Sequence, residues 1–242
     1  MKSLRLSLGF VFAVLSLAAL VLSVPSFAAE QRTVVNLDNG WHFKQASGLM
    51  GVESSSFDDA DWSRVDVPRT WNRIGNQGTE LSPNTNVVQG IGWYRLHFKT
   101  PASSAGRRAF LQFDGVGEIA QVWLNGHYLG KHEGAFSRFR FDAPAALKQS
   151  GDNLLVVQAD NSKPAPSSTT ENIIPLSGDF FIFGGIYRSV SLILTNPVHV
   201  DMMDYGGPGV YAHAIGIDPA SARVQVTGRL VNSVRAPQEV VV

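Results

Sequence analysis

The sequence contains no cysteine. That absence removes disulfides, thiolate zinc sites and cysteine nucleophiles together, and it leaves no thiol for a lipid anchor. Net charge is also missing, with 20 basic residues set against 20 acidic ones. A nucleic-acid binder that depends on a basic surface is therefore excluded. Long helical patterns are scarce: 23 glycines and 12 prolines punctuate the 242 residues, and no βαβ alternation indicates a doubly wound sheet. Charged residues make up 17% and hydrophobic residues 44%, which excludes disorder as the main state.

The first 29 residues read as a segment to be set aside before the fold is considered. Lys2 and Arg5 give a basic start, an apolar run extends from Leu6 to about Val24, and Ser26-Phe27-Ala28 offers small residues at the −3 and −1 positions of a signal-peptidase site. The run approaches the length of a membrane anchor, but Pro25 and the small-x-small triplet favour cleavage. The expectation is an exported protein, periplasmic or extracellular, that is mildly acidic once Lys2 and Arg5 are gone.

From Glu30 to Asn196 the pattern is one of successive short strands. Trp93–Lys99 alternates, with Tyr94, Leu96 and Phe98 on one face and Arg95, His97 and Lys99 on the other. Arg108–Asp114 places Ala109, Leu111 and Phe113 together, and Ser137–Phe141 does the same for Phe139 and Phe141. Asn125-Gly126, between Val122-Trp123-Leu124 and His127-Tyr128-Leu129, signals a two-residue type I′ hairpin. Asn153–Ala159 and Ile186–Leu194 complete the strands. Asp142–Lys148 allows one or two helical turns with Asp142 as N-cap and Pro144 early in the first turn. Such a chain is all-β, and long irregular connections suggest a jelly-roll sandwich. The longest, Thr70 to Ile91 and Ser162 to Phe183, are expected at one end of it, where long loops are often functional. Asp58-Asp59 reads as solvated turn surface. After Asn196-Pro197 the pattern restarts, and the 46 residues from Pro197 to Val242 fall short of the roughly 100 of an immunoglobulin-like sandwich.

An ordered series of motifs resembles the amino-terminal sugar-binding jelly roll of glycoside hydrolase family 2, which includes β-galactosidases, β-glucuronidases and β-mannosidases. Leu37-Asp38-Asn39-Gly40-Trp41-His42-Phe43 resembles its opening strand pair. Phe57 to Trp62 with Val65 to Asn72 resembles its "D-x-x-W … V-x-x-P-x-x-W" region, and Gly92-Trp93-Tyr94-Arg95 its "G-x-Y-R" strand. Val122 to Gly126 resembles the "V-x-x-N-G" hairpin, and His132 to Asp142 the "H-x-G-x-x-x-F-x-x-D" stretch. Asp179-Phe180 through Gly184-Gly185-Ile186-Tyr187-Arg188 is similar to the signature "D-F-x-x-x-G-G-I-Y-R".

The resemblance implies a galactose-binding-like jelly-roll β-sandwich over residues 30–196, followed at 197–242 by the start of an incomplete immunoglobulin-like β-sandwich. It implies retaining hydrolysis of O-glycosyl bonds in a β-glycoside, performed by a (β/α)₈ barrel with two catalytic glutamates. That barrel has no counterpart in this sequence, and none of its glutamates follows an asparagine in the family's manner. Retaining chemistry needs two carboxylates about 5–5.5 Å apart, so these residues alone are expected to be catalytically silent and to be part of a longer protein.

By the same resemblance Asp179 is the principal candidate for substrate contact. β-Galactosidases place an aspartate there to meet galactose hydroxyls and a sodium ion, and a carboxylate suits vicinal hydroxyls. The alternative is an aspartate capping its own turn. Gln89 falls where β-galactosidases place an asparagine that touches substrate; it keeps the amide and lengthens the arm. Sodium or magnesium is implied for the complete enzyme only, and homo-oligomers are expected of it. Arg188 reads as a half-buried structural arginine on the strand face of Ile186 and Val190. Trp123 reads as core packing or a sugar-stacking platform, and core is the default for Trp41, Trp62, Trp71 and Trp93. The six histidines lack the short spacing of a zinc site. A stand-alone carbohydrate-binding module is the competing function.

Overall fold

A computed structural model of the protein describes residues 32–72, 88–143, 145–173 and 184–240. The expected leader over residues 1–29 lies outside them, as do Pro144 and Asp179. Among the described residues no helix is long and apolar enough to cross a membrane.

Among the described residues fourteen strands follow one another: β1 (Thr33–Asn36), β2 (Trp41–Gln45), β3 (Ser63–Val65), β4 (Ile91–Lys99), β5 (Arg108–Phe113), β6 (Ile119–Leu124), β7 (His127–Glu133), β8 (Phe139–Asp142), β9 (Asp152–Asp160), β10 (Val190–Thr195), β11 (Val198–Val200), β12 (Val210–Ile217), β13 (Ala222–Gly228) and β14 (Leu230–Asn232). One sheet has the order β1-β10-β5-β8 and the other β3-β2-β4-β9-β6-β7, with every neighbouring pair antiparallel. Spatial neighbours drawn from distant parts of the chain are the jelly-roll signature. The all-β sandwich expected from the alternation is present.

The alternation explains the core. Leu111, Phe113, Leu192 and Leu194 from the four-stranded sheet meet Trp41, Tyr94, Leu96, Val122, Leu155 and Val157 from the six-stranded one. Each such side chain contributes about 1.5–3 kcal/mol when fully buried. The β6–β7 turn is the expected type I′: Asn125 and Gly126 take φ of 52° and 82°. Asn125 also ties the turn down. Its amide donates to the Ala146 carbonyl (2.7 Å) and Asn153 Oδ1 (2.8 Å), and its Oδ1 accepts from Leu154 N (2.9 Å).

Four expectations need correction. Asp142–Lys148 makes a single turn, the shorter of the two lengths expected, but Asp142 does not cap it: Asp142 ends β8 and its carboxylate pairs with Arg108 on β5. With the N-cap oxygen engaged elsewhere, one turn remains, closed by Leu147 N donating to the Ala143 carbonyl (3.0 Å). The strand expected from Ile186 begins at Val190 instead. Residues before it are pinned across the sandwich end, since Arg69 N donates to the Ile186 carbonyl (2.7 Å) and Val190 N to Asp38 Oδ1 (2.8 Å). Arg188 consequently leaves the strand face: it is exposed, its guanidinium 5.4 Å from the Tyr187 ring centroid.

The fourth correction concerns Asp59. The outer face of β4 is covered at Trp93 and Arg95 and exposed at His97 and Lys99, because residues 49–62 fold over its first half and bury Val52, Trp62, Trp93, Leu154 and Val156 together. Arg95, 1% exposed, lies under this cover. Its Nε donates to Asp59 Oδ2 (2.8 Å) and its Nη1 to the carbonyls of Val52 and Ser54. His42 Nδ1 stands 3.3 Å from Asp59 Oδ1. Asp59 is thus an anchor under the cover rather than turn surface, while Asp58 caps its turn through Ala60 N (3.0 Å).

Beyond β10, β11 pairs with β14 and β12 with β13. Arg140 on β8 fastens the intervening link, donating from Nη1 to the carbonyls of Met202 (2.9 Å) and Gly207 (2.8 Å).

Candidate functional site

The ends of β4, β6 and β9 form a rim with segments 69–72, 88–90 and 184–185. The rim is held by buried amides whose bonds span the sequence. Asn72 donates from its amide to the Val88 carbonyl (2.9 Å) and accepts from Gly184 N (2.9 Å) at Oδ1. Thr70 Oγ1 donates to the Gly184 carbonyl (2.9 Å) and accepts from Asn72 N (3.0 Å). The residue that closes loop 73–87 and the residue that closes loop 174–183 therefore sit on one side chain. Both long connections issue from the same end of the sandwich, as expected from their length.

Asn161, fully buried, does the same one strand over. Its Oδ1 accepts from Gly90 N (3.0 Å), and its N–H donates to the Gly90 carbonyl (3.1 Å). Gln89 is half-buried and its amide donates to the Asn161 carbonyl (3.1 Å), so this candidate sits on the rim and braces it. Asp179 lies in the 174–183 segment, outside the described residues, whose exit at Gly184 is fixed by Asn72. Among the described residues no group of three His, Asp or Glu side chains is placed to hold a metal ion; the sodium expected at Asp179 falls outside them.

The two glycines ahead of Ile186 are explained by proximity. A Cβ on Gly184 would stand 2.0–2.5 Å from Trp71 Cζ2, Cε2 and Nε1, and one on Gly185 (φ +104°) 2.5 Å from the Tyr94 hydroxyl. Trp71 itself is fixed, its indole N–H donating to the Val88 carbonyl (3.0 Å) and its ring stacked on Phe43 at 6.1 Å.

Glu118 is the ionisable residue that the sequence reading passed over. It opens onto the rim between β6 and β9, with Gly117 bridged to Gly185 and Glu118 N donating to the Asp160 carbonyl (3.0 Å). Its side chain is buried, and Oε2 meets no hydrogen-bond partner among the described residues. Burial, and then the neighbouring Asp160 charge, push its carboxyl up from 4.5 to about 7. A lone acid inside the apolar run Val116–Val122 is the sequence signal that would have found it. Asn72 and Asn161 carry no comparable signal.

The sign of the Glu118 effect on stability follows from its raised value. Below pH 4.5 folded and unfolded chains both hold the proton and nothing is lost. Between 4.5 and about 7 the folded chain keeps a proton that the unfolded chain releases, so stability falls as pH rises, and above 7 the penalty is complete. Glu118→Gln is expected to raise Tm above pH 7 and to leave it unchanged below pH 4.5, measured by circular dichroism. A gain that is equal at pH 4 and pH 8 would show the effect to be packing.

Residues 34–197 match the model of the glycosyl hydrolases family 2 sugar binding domain. The chain belongs to glycoside hydrolase family 2. A β-glucuronidase of Bacteroides fragilis is 34% identical over 194 residues, 80% of this chain and 25% of that protein. A β-galactosidase of Bacteroides ovatus is 31% identical over 205 residues, 84% of this chain and 22% of its own. Among solved structures, the β-glucuronidase 2 of Bacteroides uniformis aligns with a TM-score of 0.72 at 27% identity, covering 83% of this chain and 22% of that one. The chain thus spans about a quarter of the length of these family 2 relatives.

Proposed function

We propose that the chain is the amino-terminal part of an exported family 2 glycosidase of β-galactosidase type, which cleaves O-glycosyl bonds with retention. In this reading residues 30–196 buttress a (β/α)₈ catalytic domain of the same polypeptide and lend Asp179 to its pocket, while residues 197–242 begin an immunoglobulin-like domain. Coverage of only a quarter of the family 2 relatives supports the assignment of catalysis to a domain outside this sequence. Export is supported by the basic start, the apolar run and Ser26-Phe27-Ala28, and amino-terminal sequencing of the mature protein, expected to begin near Ala29 or Glu30, tests it.

The observation that carries the reading is the Asn72 clamp. It fixes both long loops at one rim, so a carboxylate on the second has a defined root from which to reach a neighbouring domain. Specificity for a β-glucuronide is the second reading, favoured by the name of the relative that is 34% identical.

The test compares the complete enzyme, its Asp179→Asn variant and residues 30–242 alone on nitrophenyl β-galactoside and β-glucuronide. Residues 30–242 should release no nitrophenol. Hydrogen bonds from sugar hydroxyls to a carboxylate contribute about 1.5–3 kcal/mol each, so Asp179→Asn should lower kcat/KM about tenfold or more with folding intact. If Asp179→Asn melts the domain while the folded fraction keeps its activity, Asp179 is a turn cap and the pocket role is wrong.

A further inference from the structure

The outer face of the six-stranded sheet is only half covered. Residues 49–62 cover Trp93 on β4 and Leu154 and Val156 on β9, and Trp123 packs against their margin; beyond that margin Gln158 of β9 and the outer side chains of β6 and β7 form two rows across the strands. The register sets Trp93 opposite Gln158, Gln158 opposite Gln121 and Gln121 opposite Lys131. The next row sets Val156 opposite Trp123 and Trp123 opposite Tyr128. A bulge makes this second row: the register shifts after Val122, so Leu129 turns into the core and Tyr128 stays outside, facing Trp123.

Outside the cover the second row is aromatic, Trp123 and Tyr128, and the middle of the first is amide, Gln158 and Gln121. Trp123 lies 5.8 Å from Trp93 with ring planes 32° apart, and 5.3 Å from Tyr128. Trp123 is half-buried, whereas Tyr128 is 52% exposed. Beside them Gln121 donates from Nε2 to Gln158 Oε1 (2.7 Å), and the Tyr128 hydroxyl donates to Gln121 Oε1 (3.3 Å). These bonds hold the amides and the outer ring in fixed orientation and leave further donors and acceptors on both glutamines. Charge on the strip is balanced, because Lys131 Nζ pairs with Glu133 at 2.5 Å.

We propose that this strip binds a neutral pyranose glycan lying across the strands. A pyranose ring has an apolar C–H face and an edge of hydroxyls. An aromatic row beside an uncharged amide row matches both at once, the rings taking the C–H face and the amides giving and accepting hydrogen bonds with vicinal hydroxyls. A protein partner would need about 20–30 residues on this side, several times the number in two short rows, and an acidic polysaccharide would find Lys131 already paired with Glu133. The strip begins two residues from the rim ends Ile91, Asp160 and Ile119, about 7 Å along the strands. It does not depend on Asp179 reaching substrate.

Native gels cast with soluble β-1,4-galactan, with galactomannan or with polygalacturonate test this on the protein. Retardation by one of the two neutral glycans is expected. Tyr128→Ala removes an exposed ring outside the core and should weaken that retardation at least fivefold with an unchanged circular dichroism spectrum. Gln121→Ala should weaken it as well, and Tyr128→Phe should keep most of it. Absence of retardation in both neutral glycans, retardation by polygalacturonate alone, or a Tyr128→Ala chain that binds like the parent would overturn the proposal.

Discussion

Asp59→Ala is expected to lower the stability of the sandwich by about 3–5 kcal/mol, the cost of leaving one member of a buried ion pair without its partner. Arg95 is 1% exposed and Asp59 is its only carboxylate partner among the described residues. The guanidinium keeps its bonds to the Val52 and Ser54 carbonyls, but its charge stays buried without compensation. The nearby Phe57 ring, 5.3 Å from the guanidinium carbon, attracts a cation only weakly by comparison. Urea titration followed by circular dichroism reads the loss. The paired variant Asp59→Ala with Arg95→Met should recover much of it, because no orphaned charge remains, though not all, since two carbonyls lose a donor. An Asp59→Ala cost below about 1 kcal/mol, the range of exposed pairs, would mean that residues 49–62 are held down by Val52 and Trp62 rather than by the ion pair. That distinction matters for the glycan strip, whose margin at Trp123 packs against this cover.

Strand periodicity made most of the sandwich legible in advance. Tyr94, Leu96 and Phe98 lie in the core as their spacing required, and Asn125-Gly126 makes the turn that its backbone preferences demand. The same rule is silent on the burial of Arg95, because alternation tells which residues share a face and not whether that face is wet. A cover from residues 49–62 is a tertiary fact, and it turned Asp59 from surface into anchor. Asp142 shows another limit: its cap propensity is real, but Arg108 across the ladder competes for the same carboxylate and wins. The rim was legible only as two long loops. What joins them is a set of amide bonds between residues as far apart as Asn72 and Gly184, and such bonds leave no periodic trace in sequence. The motif series carried the family, and there the glycines of "G-G-I-Y-R" find a physical reason: Trp71 and Tyr94 occupy the space where their Cβ atoms would be.

Gly184→Ala is the sharpest test of that reason. Its Cβ would stand 2.0–2.5 Å from three indole atoms of Trp71, well inside contact distance, so one group must move. Gly184 is held on both sides, by Asn72 Oδ1 at its N–H and by Thr70 Oγ1 at its carbonyl. The indole must therefore shift, losing its bond to the Val88 carbonyl and its stacking on Phe43. Overpacking of this kind costs about 1–3 kcal/mol. The mechanism is separable from any general dislike of alanine at this position, because Trp71→Ala vacates the space. On that background Gly184→Ala should add less than about 0.5 kcal/mol, giving a coupling energy of about 1–3 kcal/mol between residues far apart in sequence. Equal costs on both backgrounds would show that the backbone at Gly184, and not the indole, forbids the side chain. In the complete enzyme the same substitution should reduce kcat/KM of the folded fraction, since Val88 and Gly184 are the roots of both rim loops and a displaced Trp71 leaves Val88 without one of the donors, beside Asn72, that hold its carbonyl. An unchanged kcat/KM alongside the full loss of stability would confine the clamp to folding and detach it from the presentation of Asp179.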